Sequence, residues 1–543
     1  MKKIFIGLGL MFVLLSCLAN AVNYYVDATG GDDGNNGTSP ANAWKTMEKA
    51  RTMMGSYNPG DSILFKRGEV WTGTNENLPL DQFRITCSGS KAGGYITFGA
   101  YGNGSIPEFQ DIVVMTYAPG IKYVKIEYWK VDGSPSGQNG INVQSQNASN
   151  IVIQNCKVTV TSNNGIMFRQ TNTFTIDNCT VWDIPNSGIV IYGSPTYQAS
   201  NGVIRDNTVF NVRSNDCITL HRDGSGYNVG SNHLLENNVG TGCAEQAFDI
   251  TAGNNITIRN CEGFNNGVGS MTIAHGASNV LVDKFYSHDE SSVGILVGTS
   301  TNVTVIRSII YNTGVSFGMG HGNTTNFKAY HNTIVYGPNS GSGVDISNVD
   351  NVKGVVFKNN IFTSTNNNPG RYVRFLQNAT PESTNTNFSH NIWWRADGGL
   401  GGDNRMWYID GEGKILLDFD KWQERFPDER FVDPELVDPE NRDLHPQATS
   451  PAIDAGVDVG LRQDREDNAV PTGLAPDIGA YEYVGSAEII PGDLNRDGVV
   501  DIQDLIIVTS DFGKNSNYNP NADTDSNNII DIFDVVFVAS RFT

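Results

Sequence analysis

Between about Asn139 and Phe362 the chain repeats two short apolar phrases, and this repetition restricts the possible fold more than any other feature. The first phrase has the form Gly-Ile-x-Val. It recurs at Gly140-Ile141-Asn142-Val143, Gly165-Ile166-Met167-Phe168, Gly188-Ile189-Val190-Ile191 and Cys217-Ile218-Thr219-Leu220. It continues at Ala247-Phe248-Asp249-Ile250, Ser270-Met271-Thr272-Ile273, Gly294-Ile295-Leu296-Val297 and Gly343-Val344-Asp345-Ile346. The second phrase, Ile-x-Asn-x, begins at Ile153, Ile176, Ile204, Leu235 and Ile258. A period of roughly 22 to 30 residues with alternation inside short strands predicts a solenoid. No single turn buries its apolar face alone, so turns must stack. The expected fold is all-β, a right-handed parallel β-helix.

The last position of the second phrase gives the same register independently. It carries Cys156, Cys179, Asn207, Asn238, Cys261, Phe285, Ser308, Asn332, Asn360 and Asn391. Identical amides on successive turns can pass hydrogen bonds along a stack. Interior stacking is therefore expected for these residues, and no Cys-x-x-Cys pair offers zinc spacing.

The chain has 543 residues, with 37 basic against 58 acidic side chains and a net charge of −21. That balance argues against a nucleic-acid partner, which requires a basic face. Residues 1–21 read as a secretory signal: Lys2 and Lys3, an apolar run from Ile4 to Leu15, and Ala19-Asn20-Ala21 at the cleavage site. The run is too short for a transmembrane helix. Leu14-Leu15-Ser16-Cys17 offers a second reading, a lipoprotein box with Cys17 lipidated. Either reading places the mature chain outside the cytoplasm. Seven cysteines, three of them at one repeated position, do not predict a dense disulfide framework.

Residues 22–484 are expected to form the solenoid domain, with regular turns over about 109–365 and an irregular closing segment over 366–484. Asn42 to Met54 reads as an amphipathic helix sealing the open end, because terminal repeats need a polar cap. Tyr24-Tyr25-Val26-Asp27, this helix, and Pro59-Gly60-Asp61-Ser62-Ile63-Leu64-Phe65 resemble the opening of the pectate-lyase-like superfamily. The resemblance extends to about residue 365 and implies the fold more strongly than any substrate. In the closing segment, Leu417 to Phe426 is expected to be a short helix and Phe388 to Trp393 one more turn. Ser450-Pro451-Ala452-Ile453-Asp454-Ala455-Gly456 and Asp477-Ile478-Gly479-Ala480-Tyr481-Glu482 resemble the end of many secreted β-helix proteins, their acids anchoring turns.

After a linker at 485–492, residues 493–543 form a different module. Asp493, Asn495, Asp497, Val499, Asp501 and Asp504 occupy positions 1, 3, 5, 7, 9 and 12 of a calcium loop. Asp523, Asp525, Asn527, Ile529, Asp531 and Asp534 repeat the pattern, and an apolar helix follows each loop. Asp at position 12, two tandem loops and a missing first helix resemble a type I dockerin. The resemblance implies two calcium ions and a cohesin-bearing partner. It places recognition at Ile502-Gln503 and Ile532-Phe533, where cellulosomal examples often carry Ser-Thr.

Alternation places Ile218, Phe248 and Met271 inward, so Thr219, His221, Asp249, Thr251 and Thr272 point outward, with His275 just beyond. Glu245 leads into the Asp249 strand, Asp223 follows His221, and Lys284 and His288 come in the next turns. Met167, Val190 and Leu296 hold the equivalent outward position elsewhere. The candidate catalytic set is therefore Asp249, His221, Glu245, His275 and Lys284. Two chemistries fit, and the resemblance to the pectate-lyase-like superfamily favours the first. In β-elimination on a uronate, Asp249, Glu245 or Asp223 holds a further calcium ion and Lys284 or a His is the base. In hydrolysis, paired carboxyl groups flank the glycosidic bond. His321 in Gly320-His321-Gly322 resembles the polygalacturonase motif. Its Asp-Asp companion is absent, only Asn215-Asp216-Cys217 echoes it, and that family is set aside. Trp182, Tyr192, Tyr197 and Tyr227 are candidate sugar-stacking rings. The leading expectation is a secreted polysaccharide-degrading enzyme, with a glycan-binding adhesin as its rival.

Overall fold

The structure is a computed structural model. It describes residues 21–543 apart from 77, 117, 194–197, 223–227, 338–340, 348–351, 365–370, 396–406, 410–414, 486–491, 493, 495–498, 515–521, 525, 526, 528 and 543. Of residues 74, 75, 79, 321, 415 and 416 only the backbone is described.

Each turn lays down three short strands. One turn contains β1 (Ile189–Gly193), β2 (Ser200–Arg205) and β3 (Thr208–Val212). The next contains β4 (Ile218–Arg222), β5 (Ser231–Glu236) and β6 (Val239–Thr241). Then come β7 (Gln246–Ile250), β8 (Asn254–Arg259), β9 (Glu262–Phe264), β10 (Gly269–Ile273) and β11 (Ala277–Asp283). Strands pair in parallel with their counterparts one turn away: β1·β4·β7·β10, β2·β5·β8·β11 and β3·β6·β9. The same stacking starts at Asn23–Val26 and continues to Trp407–Ile409. This is the expected parallel β-helix.

Alternation decides which side chains enter the core. Ile189, Ile191, Ile218, Leu220, Phe248, Ile250, Met271 and Ile273 are all fully buried. Burying one such side chain is worth about 1.5–3 kcal/mol, but only when the turns above and below cover it. The glycine that opens the first phrase has a packing cause. A Cβ at Gly140, Gly165 or Gly188 would collide with Val158, Val181 or Val209 across the interior. One turn later the opposing residue becomes Gly240, then Gly263, and the first-phrase position becomes Cys217, then Ala247.

The corner after each second-sheet strand explains the recurrent Asn. Asn155, Asn178, Asp206, Asn237 and Asn260 have φ of 53, 50, 56, 54 and 52°, the left-handed region that Asn and Asp tolerate. The next residue points inward and forms the ladder. Asn207 donates to Asn238 at 2.9 Å, Asn332 to Asn360 at 2.9 Å, and Asn360 to Asn391 at 2.8 Å. The stack ends on Glu429, whose carboxylate accepts from Asn391 at 2.9 Å and also from Trp393.

Two local expectations change. The N-terminal helix α1 spans only Met47–Thr52, because Trp44 bridges to Val26 in an extended segment and Thr46 caps the helix through Lys49 N. Helix α2 spans Phe419–Arg425 with Asp418 as its cap. In the closing segment Asp477 accepts from the N–H groups of Asp454 and Tyr483, at 2.7 and 2.5 Å. That segment is strapped to the solenoid by Arg442–Asp289 and Lys284–Asp467, both 2.6 Å. Further on, α3 (Ile502–Ser510) and α4 (Ile532–Ala539) share a core of Val500, Val508, Ala522, Ile530 and Val538. No described helix is long and apolar enough to cross a membrane.

Candidate functional site

The outward face of the first sheet carries one column of Met167, Val190, Thr219, Asp249, Thr272 and Leu296. A second column beside it carries Arg169, Tyr192 and His221. Apolar side chains in the first column give way to Thr219, Asp249 and Thr272 on consecutive turns. Thr219 Oγ1 donates to Asp249 Oδ2 at 3.3 Å. On the turn beyond, the buried Thr272 Oγ1 has no hydrogen-bond partner among the described residues.

Asp216 completes an acid cluster with Asp249 and Glu245. It stands just before β4, and its Oδ1 accepts from Gln246 N at 3.1 Å. Glu245 is held beside it through its own N–H, which donates to Asn215 O at 3.2 Å. Asp216 and Asp249 are only 4 and 6% exposed. Burial pushes the Asp216 carboxyl up to about 7, with Glu245 adding to the rise. Burial also raises Asp249 well above the ordinary carboxylate range, helped by the charges of Asp216 and Glu245 and opposed by its bonds to Thr219 and Thr251. Like charges in one desolvated place share protons and titrate as a unit.

A cationic and aromatic patch flanks the acids. The Arg169 guanidinium lies 5.2 Å from the centre of the Tyr192 ring, and His221 meets that ring edge-on at 5.6 Å. His275, at a corner with φ of 54°, has its pKa lowered by burial and then by the charges of Arg222 and His221.

Asp249, Glu245, His221 and His275 thus lie on or beside this face. Lys284 does not, which corrects the expectation for it. It occupies the left-handed corner after β11, with φ of 56°, and its ammonium is committed to Asp467. His288 lies on the third sheet between Glu262 and Asp289, at 2.9 and 2.8 Å. Trp182 stacks on Phe210 on that sheet too, 6.1 Å between centroids. Asp223, Tyr197 and Tyr227 lie outside the described residues, as does the His321 side chain.

Sequence reasoning passed over Asp216 as a functional residue. Its signal was present: the position holds Asn139, Asn164 and Ser187 on earlier turns, then an acid. The reasoning also gave no pairing to Cys217 and Cys243, which form a disulfide.

In the C-terminal module the buried Asp504 accepts from the N–H groups of Leu494 and Asp501, at 2.6 and 3.0 Å. Asp534 repeats this with Thr524 and Asp531, at 2.7 and 2.8 Å. Asp523 accepts from Asn527 N at 3.0 Å, and Asn527 from Ile529 N at 2.8 Å. Val499 is partly exposed, and Asp501 and Asp531 cap α3 and α4. Ile502, Ile532 and Phe533 are exposed, as is Gln503. Asp493, Asn495, Asp497 and Asp525 lie outside the described residues. Among the described residues no three carboxylate, imidazole or thiol groups are grouped to hold a metal ion.

Residues 121–226 match the family described as a right handed beta helix region. Over 86 residues, 16% of the chain, it is 33% identical to a lacto-N-biosidase of Bifidobacterium longum subsp. longum. The chain spans only 5% of that protein's length. Among solved structures, a lacto-N-biosidase from Eubacterium ramulus is 14% identical with a TM-score of 0.40, covering 68% of this chain and 67% of that one. A pectate lyase is 16% identical with a TM-score of 0.39 over 85 and 96%. PfbA, a surface adhesin of Streptococcus pneumoniae, is 10% identical with a TM-score of 0.42 over 70 and 93%. Taken with the parallel three-strand turns, the family match makes the chain a right-handed parallel β-helix solenoid.

Proposed function

We propose that this protein is a secreted, polysaccharide-degrading enzyme that cleaves glycosidic bonds with the carboxyl groups of Asp216, Asp249 and Glu245. The observation that carries this reading is the pair of buried acids on adjacent turns, with Asp216 held protonated to about pH 7. A carboxyl that keeps its proton near neutrality is suited to general acid catalysis. It would donate that proton to the glycosidic oxygen as the carbon–oxygen bond breaks. A second carboxylate would stabilise the sugar cation, or take a proton from water as the water oxygen bonds to the anomeric carbon. Tyr192, beside the acids, would stack on a sugar ring.

A second reading is β-elimination on a uronate. It is supported by His275, whose lowered pKa leaves a neutral imidazole available as a base beside Arg222. In that chemistry a further calcium ion in the groove would neutralise the uronate carboxylate.

The chain's first residues support export, and residues 493–543 support a dockerin that docks the enzyme on a cohesin-bearing scaffold. All-oxygen donors suit a hard cation. Asp523, Asn527 and Asp534 would help to hold one calcium ion, and Asp493 to Asp504 a second.

The test is incubation of the mature protein with uronate and neutral polysaccharides. Reducing ends without ultraviolet absorbance support hydrolysis, and new absorbance of an unsaturated uronate supports elimination. Glycan binding with neither signal would favour an adhesin and overturn the enzymatic reading.

A further inference from the structure

The Cys217–Cys243 disulfide, buried in the core, borders the acid cluster. Its Cα atoms are 5.7 Å apart, Cys217 directly follows Asp216, and Cys243 stands two residues before Glu245. The bond therefore closes one turn of the solenoid on itself, with Asp216 at its start and Glu245 just past its end. The other described cysteines, Cys87, Cys156, Cys179 and Cys261, are buried free thiols.

Earlier turns hold this corner with amides. Asn186 donates to Asn163 Oδ1 at 3.0 Å, and Asn215 donates to Asn186 Oδ1. In the neighbouring column Asn164 donates to Asn139 Oδ1 at 3.0 Å and accepts from Ser187 N at 3.1 Å. At the candidate site both columns pass to acids, Asn215 being followed by Glu245 and Ser187 by Asp216. Asp216 Oδ1 still accepts from Gln246 N on the next turn at 3.1 Å, but a carboxyl has no amide N–H to offer the turn before. Asp216, Glu245 and Asp249 also repel one another. The covalent bond sits beside the turns on which these acids meet.

We infer that the Cys217–Cys243 disulfide is a positioning element for the acid cluster, holding the turn that carries Asp216 against the one that carries Glu245 and Asp249. The inference rests on the reading of these acids as the acting groups. Both cysteines act through their neighbours and touch no substrate. The groups that face the acids are Thr219, Gln246 and Thr251, with His221, Arg222 and His275 beyond them.

The test is carbodiimide labelling of the full chain across pH 4 to 9, read residue by residue by mass spectrometry. It compares the native protein, the protein reduced with a phosphine, and the Cys217→Ala/Cys243→Ala variant, each checked for a cooperative melt. Opening the bond should let the acids separate and hydrate, moving the labelling midpoint of Asp216 down by about one pH unit or more. Any turnover should show a matching shift in its pH profile, with KM unchanged. An unmoved midpoint in a folded, opened protein overturns the inference. Loss of folding in both opened forms overturns it as well, since the bond would then serve stability alone. Labelling needs no substrate, so absence of glycan cleavage counts against the catalytic reading and not against this one.

Discussion

Asp216, at the corner before β4, stands one turn from Asp249 on β7, and its charge helps to hold the Asp249 carboxyl well above its ordinary range. Among the described residues neither acid is paired with a cation, whereas most acids on the second sheet are. Asp283, for example, lies 2.7 Å from Arg307 and 3.3 Å from Arg259. Unpaired buried acids are costly to a fold, and such perturbed groups cluster where chemistry needs them.

Turnover is expected to fall as pH rises through about 7, because the proton on Asp216 is lost there. A kcat profile over pH 4 to 9 reads this directly. A rate that climbs steadily from pH 6 to 9 would argue for His275 as a base instead.

Asp216 should also cost stability at high pH. Its folded pKa is raised above the unfolded value, so its contribution is fully present below about pH 4 and is lost as pH rises through about 7. Asp216→Asn keeps an acceptor for Gln246 N. It should melt about 2 °C higher than the parent at pH 8 and equally at pH 4, as calorimetry would show.

His233 behaves in the opposite sense. It lies in the core near Phe174, and burial lowers its pKa to about 4 against the opposing effect of the Ala199 backbone. The stability associated with its neutral form is lost as pH falls from about 6.5 through 4. His233→Leu should flatten that loss, so the variant melts about 2 °C above the parent at pH 5. Equal melting at pH 5 would contradict the assignment.

Asn360 is the centre of the longest described stretch of interior ladder. Its amide donates to Asn391 and to Ala329 O and its carbonyl accepts from Asn332, all within 3.0 Å. Asn360→Ala strands these groups, and a loss of about 1–3 kcal/mol is expected in denaturant unfolding.

Calorimetry on the full chain should show about two calcium ions bound. Asp504→Ala and Asp534→Ala should each remove one. Binding left intact in both variants would contradict the loop assignment.

Much of the solenoid was legible because its causes are local and repeated. The Gly188 slot, the left-handed corner at Asn237 and the inward Ile218 recur every turn, so each copy corroborates the others. The length of α1 was less legible, since Thr46 and Trp44 decide it through contacts that helical periodicity does not encode. At the site, Asp249 was readable from strand alternation. Asp216 was readable only from the column of Asn139, Asn164 and Ser187, because it stands at a corner where alternation no longer tells inside from outside. Lys284 looked near Asp249 along the chain, yet the left-handed corner turns it toward Asp467. The Cys217–Cys243 bond depends on how one turn closes, which spacing alone does not specify.

The central claim is that the acids on the first sheet perform glycosidic cleavage. The most direct measurement is reducing-end release from a cleaved polysaccharide by the parent, Asp216→Asn and Asp249→Asn. Each variant is expected to fold, bind the glycan and lose kcat by about 10²-fold or more. Parental kcat in both variants would contradict the account.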